Sequence, residues 1–110
     1  MNMGATIEQI TAAQLKTMRD EGVPHELFDV RTTGERAIAS IEGARHLDQG
    51  GIAYLKTLPT GTLIVFQCHH GVRSQSAAVQ CAALGFTNIC NLVGGIESWA
   101  LDVDPLVARY

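Results

Sequence analysis

A chain of 110 residues falls in the usual size range of one domain and leaves no room for a second core, so residues 1–110 are expected to fold as a single unit. Its 46% hydrophobic and 17% charged content is that of a globular protein and argues against disorder. A net charge of −3, with eight scattered Lys and Arg and no basic stripe, argues against a nucleic-acid or membrane-surface partner.

The opening stretch MNMGATIEQI has no charged n-region and no apolar run of signal-peptide length, and no later run approaches a membrane span. A soluble, cytoplasmic protein is therefore expected. Thr11 followed by Gln14 matches a capping box, opening a helix that turns Leu15 and Met18 inward and closes at Gly22 and Pro24. A short strand follows over residues 25–30, a brief helix over 35–39 and a second short strand over 44–47. Gly50-Gly51 precedes a helical segment over 52–58 that ends at Pro59.

The clearest strand is Thr62-Leu63-Ile64-Val65-Phe66, apolar without alternation, as in a parallel sheet covered on both faces. After a loop from Cys68 to Arg73 comes a helix over 74–84, with Ala77, Ala78, Cys81 and Leu84 inward and Gly85 at its end. Residues 88–92 form another buried strand, and Gly94-Gly95 opens a last helix carrying Trp99. This alternation predicts an α/β domain with a mainly parallel sheet. Sites in such sheets gather at the carboxyl ends of strands, where Asp29 and Cys68 both stand.

The loop itself carries the chemistry. Gly71 permits a turn that a β-carbon would obstruct. Successive amides in such a turn converge on one point, and a helix beginning near Ser74 adds its free N–H groups and its dipole. Arg73 adds a permanent positive charge. A free cysteine near pKa 8.5 is only about 3% thiolate at pH 7, whereas cysteines at helix N-termini and beside cations fall to roughly 3.5–7.5. A two-unit drop needs about 2.7 kcal/mol of preferential anion stabilisation. Cys68 is thus the candidate nucleophile, able to accept, hold and release sulfur. Cys81 and Cys90 read as small core residues. Three cysteines without a CxxC pair make neither a disulfide framework nor a dithiol motif.

Cys68, Gly71, Arg73 and Ser74 match the C-x-x-G-x-R-[SA] loop of the rhodanese family, which this chain resembles. Asp29-Val30-Arg31 with Glu35 resembles that family's D-V-R-x-x-x-E segment, and Gly43-Ala44 its later G-A. Leu92-Val93-Gly94-Gly95-Ile96 with Trp99 resembles its L-x-G-G-x-x-x-W ending. Ala39-Ser40 stands where the family usually carries Gly-His. The matches run in order over about 70 of the 110 residues. The resemblance implies a rhodanese-like α/β fold, a mainly parallel central sheet flanked by helices on both faces. It also implies a sulfurtransferase moving sulfane sulfur from thiosulfate or a persulfide to cyanide or a thiol through a Cys68 persulfide.

On that reading His69, His70, Gly71, Val72, Arg73 and Ser74 surround the substrate, with Asp29, Arg31 and Glu35 in support. No cofactor or metal is called for, since a Cys-His-His run lacks the separated ligand pairs of a zinc site. His69 and His70 are expected at the loop mouth or merely in solvent. Arg73 either touches substrate or, as favoured here, braces the loop through Glu35 or Asp29; Arg31 is an equal candidate partner for Glu35. Thioredoxin-like or sulfur-carrier proteins join small molecules as candidate partners. Cysteine phosphatases on this fold use C-x5-R, a wider ring suited to phosphate; the four residues between Cys68 and Arg73 favour a single sulfur atom. The alternative within the family is a non-catalytic sulfur-carrier or protein-binding module.

Overall fold

Five short strands, none longer than four residues, pair into one parallel sheet in the order β1-β5-β4-β2-β3. The computed structural model describes residues 6–110, so the reading of the N-terminal stretch lies in part, over residues 1–5, outside the described residues. The elements alternate along the chain as β1 (Ile7–Ile10), α1 (Ala12–Asp20), β2 (Glu26–Asp29), α2 (Thr33–Ile38) and β3 (Arg45–His46). They continue as α3 (Gln49–Leu55), β4 (Ile64–Gln67), α4 (Val72–Ala83), β5 (Ile89–Leu92) and α5 (Gly95–Asp102). Among the described residues no helix is long and apolar enough to cross a membrane.

Local sequence explains most of the boundaries. The Thr11–Gln14 capping box forms: the Gln14 amide donates to Thr11 Oγ1 and the Thr11 amide to Gln14 Oε1. A second box, Thr32 with Glu35, opens α2. The Gly51 amide donates to Asp48 Oδ1 at 2.8 Å and starts α3. Strand β1 was not foreseen. In Ile7-Glu8-Gln9-Ile10 the apolar residues stand only at the two ends, with no period to read, and its strand form comes from pairing with β5.

The sheet is buried on both faces because neighbouring residues of each strand face opposite ways. Leu27, Val65, Cys90 and Leu92 meet Ala12 and Leu15 of α1, Ile96 and Trp99 of α5, and Ala39 and Ile41. On the other side Phe28, Ile64, Phe66 and Ile89 meet Leu55 of α3 and Ala78 and Cys81 of α4. Leu84, expected inward, is 53% exposed. The buried stripe of α4 runs Ser74-Ala78-Cys81, and its next position is Gly85; Leu84 falls beside it, after the helix has ended.

β2 and β4 are neighbours, with Asp29 opposite Gln67 at their carboxyl ends. After β2 the chain contributes Ala39 and Ile41 to the α1/α5 face; after β4 it enters α4 on the opposite face. Such a divergence opens a crevice at the strand ends, and Cys68 is the first residue beyond β4. Leu15 is completely buried, so Leu15→Ala should lower the unfolding free energy by about 2–5 kcal/mol. Leu84→Ala should stay within about 0.5 kcal/mol of the parent. Urea denaturation midpoints of the two variants check both values.

Candidate active site

Every residue of β4 is buried, so the strand delivers Cys68 to its loop with little freedom. The loop closes quickly. Gly71 sits at φ 100°, a left-handed conformation that favours glycine, and α4 begins at Val72, two residues earlier than the sequence suggested. Arg73 and Ser74 therefore belong to its first turn. The Gly71 amide donates to Cys68 Sγ at 3.1 Å and the Ser74 amide at 3.4 Å, while Ser74 Oγ lies 3.3 Å away.

A further amide, that of His70, also stabilises the sulfur, and the N-terminus of α5 aims it. The Ile96 amide of α5 donates to the Cys68 carbonyl at 2.8 Å and its Glu97 amide to the His69 carbonyl at 3.2 Å. With the His69 carbonyl drawn backward, the opposite edge of its peptide unit turns the His70 amide toward the sulfur. Gly95 allows this approach: at φ 58° a β-carbon there would stand 2.3 Å from the Cys68 carbonyl oxygen. Gly94-Gly95, which opens α5 as the sequence suggested, thus also forms the backing of the loop. Asn91 of β5 supplies a second anchor unforeseen from sequence, donating from Nδ2 to the Gly71 carbonyl at 3.1 Å and accepting from Ser74 Oγ at 2.5 Å.

The electrostatics follow from this geometry. Cys68 is 1% exposed, and burial alone pushes its thiol up. Hydrogen bonds from the Ser74 hydroxyl and from the amides of Ser74, Gly71 and His70 outweigh it, so the thiol is held below its ordinary value. Cys81 and Cys90 have burial without donors, and each is pushed up to about 11. All three are free thiols.

Arg73 braces the loop. Its two terminal nitrogens reach the two oxygens of Glu35 at 2.7 and 2.8 Å. Much of its charge is therefore engaged by Glu35, and a Cys68 thiolate is stabilised chiefly by main-chain and hydroxyl donors, with a coulombic contribution from Arg73. Arg31 takes Asp29 instead, at 3.0 Å from Nε and 2.7 Å from Nη2, with both side chains wholly buried. Burial pushes the Asp29 carboxyl up, but bonds from Arg31 and from Arg36, at 2.8 Å, bring it below its usual range.

Tyr110 joins the two pairs: its hydroxyl accepts from Arg31 at 2.9 Å and donates to Glu35 at 2.7 Å. Its ring stacks on His69 at 3.9 Å, and His69 on His70 at 3.9 Å. Contacts across such sequence separations leave no local signal. His69 is half-buried and His70 exposed, whereas Val72 points outward, 78% exposed. Among the described residues no group of three or more His, Cys, Asp or Glu side chains is placed to hold a metal ion.

The Arg73 guanidinium holds the Glu35 carboxyl far below the usual carboxylate range. A carboxyl depressed in the folded state lends stability above its unfolded pKa of about 4.3 and withdraws it as pH falls toward the folded value. Glu35→Gln should therefore be about 1 kcal/mol less stable near neutrality, as expected for a partly exposed pair. The gap to the parent should narrow progressively below about pH 4. Urea midpoints measured between neutrality and pH 3 test the convergence.

The rhodanese-like domain family matches residues 11–102. The thiosulfate sulfurtransferase GlpE of Pseudomonas aeruginosa is 32% identical over 98 residues, covering 88% of this chain and 87% of its own length. The adenylyltransferase and sulfurtransferase MOCS3-1 of Zea mays is 33% identical over 105 residues, covering 88% of this chain; the match spans only 22% of that longer protein. A rhodanese-like domain protein from Staphylococcus aureus superimposes with a TM-score of 0.75 at 27% identity, over 94% of this chain and 99% of its own. The loop around Cys68 and the parallel sheet beneath it accord with these matches, and the chain belongs to the rhodanese-like domain family.

Proposed function

We propose that this protein is a sulfurtransferase that carries sulfane sulfur as a persulfide on Cys68. The observation that supports it most is the convergence of the Gly71 and Ser74 amides on Cys68 Sγ, at 3.1 and 3.4 Å, in a loop with four residues between Cys68 and Arg73. In the first half-reaction the thiolate attacks the outer sulfur of thiosulfate. The bond between the two sulfurs of the donor breaks, and sulfite leaves with its electron pair. In the second, cyanide or a thiolate attacks the outer sulfur of the persulfide, releasing thiocyanate or a new persulfide and returning the Cys68 thiolate. GlpE, which bears the name thiosulfate sulfurtransferase, supports thiosulfate as the donor. On this reading Arg73, Glu35 and Tyr110 keep the loop in shape, while His69 and His70 line the approach.

A second reading is favoured by one observation. Cys68 is enclosed by its loop, at 1% exposure, which suits a module that holds sulfur or a partner protein without turnover. The two readings separate by reactivity. Incubated with thiosulfate, the protein should gain one sulfur atom in its intact mass, removable by cyanide and lost in Cys68→Ser. Absence of that atom would overturn the sulfurtransferase reading, and a stable sulfur that no acceptor removes would favour the module.

The cysteines also predict selectivity. Iodoacetamide at pH 8 should label Cys68 alone, because Cys81 and Cys90 stay protonated with values near 11. Peptide mass mapping reads which residues carry the label.

A further inference from the structure

The polar residues behind Cys68 form a chain in which every proton can be counted. Asn91 Nδ2 has two hydrogens, and both are placed, one on the Gly71 carbonyl at 3.1 Å and one on Gln9 Oε1 at 2.9 Å. The reverse orientation would set two carbonyl oxygens against each other at Gly71, so Asn91 Oδ1 faces Ser74 as an acceptor. Ser74 Oγ lies 2.5 Å from that oxygen and 3.3 Å from Cys68 Sγ. Cys68, Ser74 and Asn91 are 1%, 0% and 3% exposed, so bulk water cannot substitute for either partner. One hydroxyl proton therefore serves two acceptors.

We propose that Asn91 is a positioning residue that acts on Cys68 through Ser74, competing with the sulfur for the single Ser74 hydroxyl proton. While the sulfur is uncharged, the hydroxyl points to Asn91, and Ser74 offers Cys68 only a lone pair, the match for an S–H donor. When the thiolate forms, the O–H rotates toward the sulfur and Asn91 Oδ1 is left without it. No bond to hydrogen breaks at Ser74; only its direction changes. Once an outer sulfur is attached, the charge moves one atom away from Sγ and the hydroxyl returns to Asn91. Asn91 thereby restrains the resting thiol from ionising, in opposition to the amides of the loop.

The inference takes Cys68 as the reacting thiol, as proposed above, but its test reads acidity and needs no turnover, so the two can fail separately. The apparent pKa of Cys68 is measured from the pH dependence of iodoacetamide alkylation, with the site read by mass mapping. Asn91→Ala should make Cys68 about two- to tenfold more acidic, the range of one net hydrogen bond. Asn91→Asp, which keeps an acceptor, should not. In a Ser74→Ala background Asn91→Ala should have no effect. Equal shifts with and without Ser74, or the same direction for Ala and Asp, would assign Asn91 a merely structural role and overturn the proposal. Should the variants fold poorly, the parent protein suffices. The side-chain carbonyl resonance of Asn91 should then titrate with the midpoint of Cys68, and a resonance indifferent to that ionisation overturns the proposal equally.

Discussion

Everything at this site depends on which way four peptide units face. A loop of Cys68, His69, His70 and Gly71 could turn either its carbonyls or its amides toward the sulfur, and carbonyls there would make a thiolate untenable. Two of these units are set behind the loop, where α5 offers the unpaired N–H groups of its first turn to the Cys68 and His69 carbonyls, and Asn91 holds the Gly71 carbonyl. The same end of a helix that elsewhere binds anions directly is used here at one remove. It turns the His70 amide, and that amide joins those of Gly71 and Ser74 at the sulfur.

Around this core of main-chain bonds the charged residues act as a frame. Asp29 and Arg31 are wholly buried, a placement that is stable only when every lone pair and proton is matched. Asp29 accepts from both Arg31 and Arg36, and Arg31 also donates to the carbonyls of Ala39 and Glu35 and to Tyr110. Ala39 fits here because its small side chain packs in the core while its carbonyl accepts from Arg31, in an extended conformation that needs no glycine. The second pair, Arg73 with Glu35, joins the first turn of α4 to α2. The strand ends of β2 and β4 are thus tied together above the sheet as well as within it.

Much of this was legible in the sequence, and the misses share a cause. The alternation of elements, the capping box at Thr11, the buried run of β4 and the glycine of the loop are signals carried within a few residues, and the structure has them. So is the spacing that makes Cys68 the thiol with donors and leaves Cys81 and Cys90 with none. The missing pieces, β1, Asn91 and Tyr110, acquire their roles from partners far along the chain: β1 from β5, Asn91 from Gln9 and Ser74, Tyr110 from Arg31 and Glu35. Arg73 lies between the cases. Its side chain could satisfy either Glu35 or Asp29 on paper, and only the geometry of the strand ends, which gives Asp29 to Arg31, decides the matter.

The strand order has a consequence for how the molecule is made. Residues 7–10 find their sheet partners in residues 89–92, so β1 must wait for β5 before it can pair. Until then its exposed edge lies open, and the closing of so long a loop carries an entropic penalty before any ladder bond rewards it. The sheet therefore stays incomplete until β5 is available, and the β1–β5 pairing is also what brings Gln9 to Asn91.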